Sequence, residues 1–187
     1  MELIEVINKR RAYRSLYKTQ ISEELINDLA ESARLSASCF NNQPWRYVFV
    51  YDSKVLKEMH NTLSSGNEWA KRASMIVAVC SKKEDDCLIK DREYYLFDTG
   101  MATAFLILRA TELGLVAHPI AGYSPKKTRE ILNIPEVMDV ITLIIVGKHS
   151  DKIYPELSAK QIQAERKRPE RKKIKEFVHM NKWKGNN

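Results

Sequence analysis

The chain has 187 residues, 44% of them hydrophobic, enough for one domain with a sizeable core, since single domains commonly run about 100 to 200 residues. No stretch approaches the roughly 18 consecutive apolar residues of a membrane helix, and the opening MELIEVINKRR is charged and amphipathic where a signal peptide is apolar. A soluble, cytoplasmic protein with no membrane partner is expected. The formal net charge of +7 resides in the last 28 positions: residues 1–159 carry 21 basic and 21 acidic side chains, residues 160–187 carry 10 and 3. We therefore read 1–187 as a single domain with 160–187 as a basic carboxy-terminal arm, of a kind that attracts phosphates. Cys39, Cys80 and Cys87 show neither a dense disulfide framework nor a CxxC pair, so reduced thiols are expected.

In chain order, Leu3, Ile4 and Ile7 have helical spacing and predict a short amphipathic helix over 2–8, whose end delivers the cluster RRAYR. Ser22, followed by Glu23 and Glu24, signals a second helix with Leu25, Ile26, Leu29 and Ala33 on one face, ending near Leu35. SASCFNNQP is loop chemistry, and WRYVFVYD is aromatic and β-branched enough for a buried strand. A helix is expected over 53–63, and the apolar run at 73–81 suits a strand buried on both faces. Residues 91–113 read as a helix, with Phe97, Met101, Ala104, Phe105, Leu108 and Ala110 spread so widely that full burial is expected. Gly114 stops it, LVAHPIAG reads as a short strand and loop, and Ser124 with Pro125 starts a helix to Leu132. Residues 139–147 form the last clear strand, after which the pattern is charged and weakly periodic.

The sequence holds six glycines and neither a GxGxxG nor a P-loop, so any phosphate must be held by another device. Arg10, Arg11 and Arg14 offer three planar forks of donors suited to a phosphate. Taken alone, they also fit a solvated cationic helix end. No serine, cysteine or histidine triad is visible. His60, His118, His149 and His179 are scattered without metal-ligand spacing, so neither a catalytic side chain nor a metal site is expected.

Three pieces, in order, carry a resemblance over nearly the whole chain. KRRAYRSL is similar to the RRSxR opening of nitroreductase-like flavoproteins, and SASCFNNQPWRYVFV to their PSSxNxQPWxF loop and strand. FDTGMATAFLILRATELGLVAHPIAGY resembles their central helix and the loop under the flavin. The resemblance implies an α+β three-layer sandwich, with a central mixed, mostly antiparallel sheet flanked by helices and the carboxy-terminal arm exchanged in a homodimer. It implies FMN as cofactor, with Arg10 and Arg14, beside Arg11 and the backbone of Ala12, on phosphate and ribityl oxygens. Ala12 stands where the family has Ser, so a hydroxyl is missing there.

By the same resemblance Ala37, Ser38, Cys39 and Asn41, with Gln43 closing the loop, contact the flavin of the opposite subunit. Ala37 replaces a usual Pro and Cys39 a usual Ser. Asn67 and Lys71 fall where relatives approach the isoalloxazine edge. Pro119, Ile120, Ala121 and Gly122 form the turn beside N5, where glycine lets backbone N–H groups come close. Ala121 stands where some relatives have an acidic residue. In the arm, Arg171 and Lys173 give the best register for returning to the phosphate, and Arg166 with Arg168 is the other pair. The activity implied is hydride transfer from NADH or NADPH through flavin N5 to a small acceptor, a nitroaromatic or quinone, by ping-pong kinetics. The different-class reading is a binding protein whose basic tail contacts nucleic acid or an acidic partner; the tail lacks the interleaved aromatics and groove-reading motifs that nucleic-acid binding calls for.

Overall fold

The structure is a computed structural model that describes residues 2–183 and 185. Helix α1 (Leu3–Lys9) opens with a reciprocal cap between Glu2 and Glu5 and buries only Val6. After the two-residue strand β1 (Leu16–Tyr17), helix α2 (Glu23–Arg34) starts where the Ser22 hydroxyl accepts the Leu25 N–H. Strand β2 (Arg46–Val50) leads to α3 (Ser53–Met59), capped by Asp52 through the N–H groups of Lys54 and Val55. The expected helix over 53–63 continues only as a 3-10 turn, His60–Thr62. A second 3-10 segment, Glu68–Arg72, precedes β3 (Met75–Ser81), which is buried throughout.

A small hairpin, β4 (Leu88–Ile89) with β5 (Arg92–Glu93), turns at Lys90 with φ +60°. This hairpin takes up residues expected to be helical, so α4 spans Tyr95–Glu112. Gly114, at φ +77°, then ends it in a conformation that L side chains resist. Strand β6 (Val116–Ile120), helix α5 (Pro125–Leu132, capped by Ser124) and strand β7 (Asp139–His149) follow. The arm contains a helix not expected from its sequence, α6 (Ala159–Arg166), opened by a reciprocal cap between Ser158 and Gln161. No helix among the described residues is long and apolar enough to cross a membrane.

Strand β7 is the hub of the sheet. It pairs antiparallel with β3, β6 and β1, and β2 pairs antiparallel with the other edge of β3. Because successive strand residues face opposite ways, Ile76, Ala78, Leu143 and Ile145 pack with Leu56, Met59 and Trp69 on one side. Met75, Val77, Ile144 and Val146 pack with Leu29 and Ala33 of α2 and with Ala102, Leu106 and Ala110 of α4 on the other. Helices thus cover both faces of the sheet, and continuous apolar runs are what such strands require.

Two expectations are corrected. Helix α4 is not buried all round: Ala102, Thr103, Leu106 and Ala110 face the core, while Phe97 is 63% exposed and Phe105 46%. Its second apolar face is therefore uncovered in the single chain. The cysteines are not all reduced thiols: Cys39 and Cys87 form a disulfide across 48 residues, because the fold carries the 36–43 loop against the segment before β4, and only the buried Cys80 is free.

Candidate functional site

Where α1 ends, residues 10–15 meet the stretch 164–171 from the far side of the sequence. Arg10 caps α1, and the extended stretch after it is held from the far end of the sequence. The buried Glu165 carboxylate of α6 accepts the N–H of Arg14 at 2.7 Å and that of Ser15 at 3.1 Å. Arg11 donates to the carbonyls of Ala164 (2.6 Å) and Glu165 (3.1 Å) and to the Tyr13 hydroxyl. Arg168 donates to the carbonyls of Asn8 and Arg10. The result is a cleft of about 190 Å³ lined by Arg10, Arg11, Ala12 and Arg14 from one end and by Ala164, Arg168, Pro169 and Arg171 from the other.

No carboxylate side chain lines this cleft. Burial, then the nearby charges of Arg168 and Arg171, hold the Arg10 guanidinium below its usual basicity. Burial does the same to Arg14, against the opposing pull of Glu165. Desolvated cations without an acid between them form a well for an anion, and planar forks suit phosphate oxygens. The donor set therefore fits the terminal phosphate of a flavin mononucleotide.

Beneath the cleft, the Arg14 guanidinium lies 5.8 Å from the Trp69 ring centre, and Trp69 stacks on His118 at 4.7 Å. The His118 Nδ1–H donates to the Tyr13 carbonyl, which fixes the tautomer, since a carbonyl only accepts. Burial pushes the His118 pKa down to about 4; the bond to Tyr13 opposes this, and the charges of Arg14 and Arg10 add to it.

Trp69 also joins the cleft to the turn after β6. Its Nε1–H donates to Asn67 Oδ1, and Asn67 Nδ2 donates to the Gly122 carbonyl at 2.9 Å, which also accepts the Ser64 N–H. A Cβ at Gly122 would collide with the Asn67 amide, so a glycine is needed for this close approach. Asn67 thus pins the turn at Ala121 and Gly122, whereas Pro119 and Ile120, expected in that turn, are the last residues of β6, paired with Ile144 and Leu143. Lys71, expected with Asn67 at the isoalloxazine edge, lines an open groove with Lys54, Lys57 and His60.

The 36–43 loop is bonded elsewhere. Cys39 N–H donates to Asp98 Oδ2 at 2.6 Å, the Ser38 hydroxyl accepts the Gln43 N–H, and Gln43 Nε2 donates to the Asn41 carbonyl. Phe40, Asn41 and Gln43 all have φ between +47° and +60°, and Phe40 is 85% exposed. The left-handed backbone at Phe40 is a conformation that L side chains adopt at a cost, and it holds the ring out to solvent. Ala37 is exposed beside it.

Of the arm residues, Arg168 and Arg171 line the cleft; Lys173 and Arg166 do not, and the Lys173 N–H is taken by Glu176. Sequence reasoning did not single out Glu165 or Trp69, and it met Asp98 only within the FDTG segment, with no role given. Glu165 is an isolated acid in a charged, weakly periodic stretch, and only burial reveals it.

The model of the nitroreductase family matches residues 7–67 and 55–148. A protein of Archaeoglobus fulgidus, provisionally named an NADH dehydrogenase/NAD(P)H nitroreductase, is 31% identical over 155 residues, covering 80% of this chain and 87% of the relative. A crystal structure described as an oxidoreductase containing FMN superposes with a TM-score of 0.84 at 25% identity, over 97% of this chain and 92% of that one. A nitroreductase family protein from Clostridium novyi NT gives a TM-score of 0.75 at 26% identity, over 81% and 87% of the two chains.

Proposed function

Because the chain belongs to the nitroreductase family, we propose that it is an FMN-dependent oxidoreductase that takes hydride from NADH or NADPH and delivers it to a nitroaromatic, a quinone or a related small acceptor. The observation that carries this reading is the carboxylate-free cleft of Arg10, Arg14, Arg168 and Arg171, built from both ends of the chain. These four hold the phosphate; Arg11 fixes α6 behind them. The Gly122 turn, pinned by Asn67, offers its backbone to the ring edge. Bound FMN supplies the hydride exchange, and the protein supplies its orientation and one open ring face. Donor and acceptor use that same face in turn, which is a ping-pong scheme. The 36–43 loop of a second copy completes the site in a homodimer.

The test is an absorbance spectrum of the purified protein, release of its cofactor on denaturation, and anaerobic titration with NADH and NADPH. A yellow protein that is bleached by one donor and recolours on adding a quinone is expected, with parallel double-reciprocal plots. A protein that fails to bind FMN supplied in excess would sink the reading, and intersecting plots would remove the ping-pong scheme alone.

A further inference from the structure

Sulfur and carboxylate donors converge at a second place, where the 36–43 loop meets the segment before β4. Cys39 Sγ, Cys87 Sγ and an Asp86 carboxylate oxygen lie within 4.8 Å of one another. Asp86 Oδ1 is held in place by the Cys87 N–H at 2.8 Å and by Asn42 Nδ2 at 3.4 Å. Asp86 Oδ2 is buried and has no hydrogen-bond partner among the described residues. A buried, unpaired carboxylate oxygen costs free energy unless a cation or a proton meets it. A second carboxyl, that of Asp98, lies beside it, its Oδ2 accepting the Cys39 N–H at 2.6 Å. Two acids thus stand beside two sulfurs, and among the described residues neither acid forms a salt bridge.

We infer that Cys39, Cys87 and Asp86, once the disulfide is reduced, bind one thiophilic divalent cation such as Zn²⁺. Two thiolates and a carboxylate give three of the four positions of a tetrahedral zinc site, and water takes the fourth. At Zn–S distances of about 2.3 Å, tetrahedral geometry sets the sulfurs roughly 3.8 Å apart, a modest rotation away from the bonded pair. The chemistry balances. A phosphine and one water convert the disulfide to two thiols and a phosphine oxide, and the entering cation displaces the two thiol protons into solvent. Cys80 takes no part, since it lies buried in β3, where its thiol is pushed up to about 11. Disulfide and cation are then two alternative ways of tying the 36–43 loop to the β4–β5 hairpin. In the reduced, metal-free chain only hydrogen bonds, such as those from the Cys39 N–H to Asp98 and from Asn42 Nδ2 to Asp86, hold the loop. The site does not depend on the flavin reading.

The full chain, oxidised or reduced with a phosphine, is dialysed against Co²⁺ and then Zn²⁺. One Co²⁺ per reduced chain is expected, with tetrahedral d–d bands in the red, clear of flavin absorption, and none on the oxidised chain. Cys39→Ser and Cys87→Ser should each weaken binding by roughly 100-fold or more, the upper end of what even an outer partner's loss costs a metal site. Asp86→Asn should weaken it by roughly tenfold or more, and Cys80→Ser should leave it unchanged. Zn²⁺ should also shield Cys39 and Cys87 of the unsubstituted chain from alkylation, read by mass spectrometry, a measurement that needs no variant to fold. A reduced chain that holds no Co²⁺, or alkylation at both cysteines unaffected by Zn²⁺, overturns the inference.

Discussion

The guanidinium of Arg11 donates to two backbone carbonyls of α6, whereas that of Arg14 has no carboxylate partner and lies desolvated over Trp69. The two should therefore fail differently. Arg14→Ala removes a charged fork from the anion well, and a charge-assisted hydrogen bond of about 1.5–3 kcal/mol corresponds to a roughly 10- to 100-fold weaker FMN affinity. Flavin fluorescence titration reads this directly, with little change expected in the urea midpoint. Arg11→Ala should instead destabilise the fold by about 1–3 kcal/mol, because it leaves the Ala164 and Glu165 carbonyls short of a donor. Equal losses of affinity in the two variants would contradict this division. His118, under the same cleft, predicts an acid response. Its pKa falls from 6.5 in the unfolded chain to about 4 in the folded one, through burial first and then through Arg14 and Arg10. A depressed value means that the folded state prefers the neutral ring. The stability it contributes is complete above about 6.5 and is lost as pH falls towards 4, on the order of 3 kcal/mol in all. Urea unfolding at successive pH values should show that slope, and His118→Gln should flatten it.

Legibility in the sequence varied with what holds each element in place. Helices α2 and α5 announce themselves through Ser22 and Ser124, whose caps the structure contains, and β3 and β7 through apolar runs that match burial on both faces. Helix α6 was illegible because its one buried residue is an acid: polar contacts anchor it, and hydrophobic periodicity is silent about those. The residues that line the cleft from the amino-terminal side were named in advance, and so was Arg171. Arg168 was one of two open pairings, since register in a charged arm has no apolar ruler. The Cys39–Cys87 contact spans 48 residues and depends on loop placement that no spacing rule encodes. The anchoring of α6 is itself open to test. Glu165 accepts two backbone N–H groups with its two carboxylate oxygens. Glu165→Gln keeps the size but turns one acceptor into a donor facing an N–H, which should cost about 1–3 kcal/mol. Hydrogen exchange should then speed up across 159–166 and 12–15 together. Faster exchange in α6 alone would mean that the two segments are not coupled.

The single chain leaves an apolar region uncovered where α1, α2 and α4 come together. Leu3 (65% exposed), Ile7 (44%), Leu35 (66%) and Phe105 (46%) border a groove there that Leu108, Arg109 and Glu112 complete. Contiguous exposed apolar surface on a chain that is 29% charged calls for a partner, and a stable interface removes about 800 Å² from each side. In the proposed homodimer a second copy covers this region and brings its 36–43 loop, with Phe40 exposed at the tip, to the cofactor. Phe105→Glu places a charge in that seam. Burying it unpaired costs several kcal/mol, so light scattering should report a monomer at concentrations where the unsubstituted protein is dimeric. FMN should be lost with it, because half of the ring's surroundings would leave. Replacing Arg10 and Arg14 together with Ala should give the opposite combination, a colourless dimer, since those residues line the cleft and not the groove. Assembly and cofactor binding are thus separable in one direction only. A yellow Phe105→Glu monomer would show that one chain suffices to hold the flavin, and it would remove the second copy from the site.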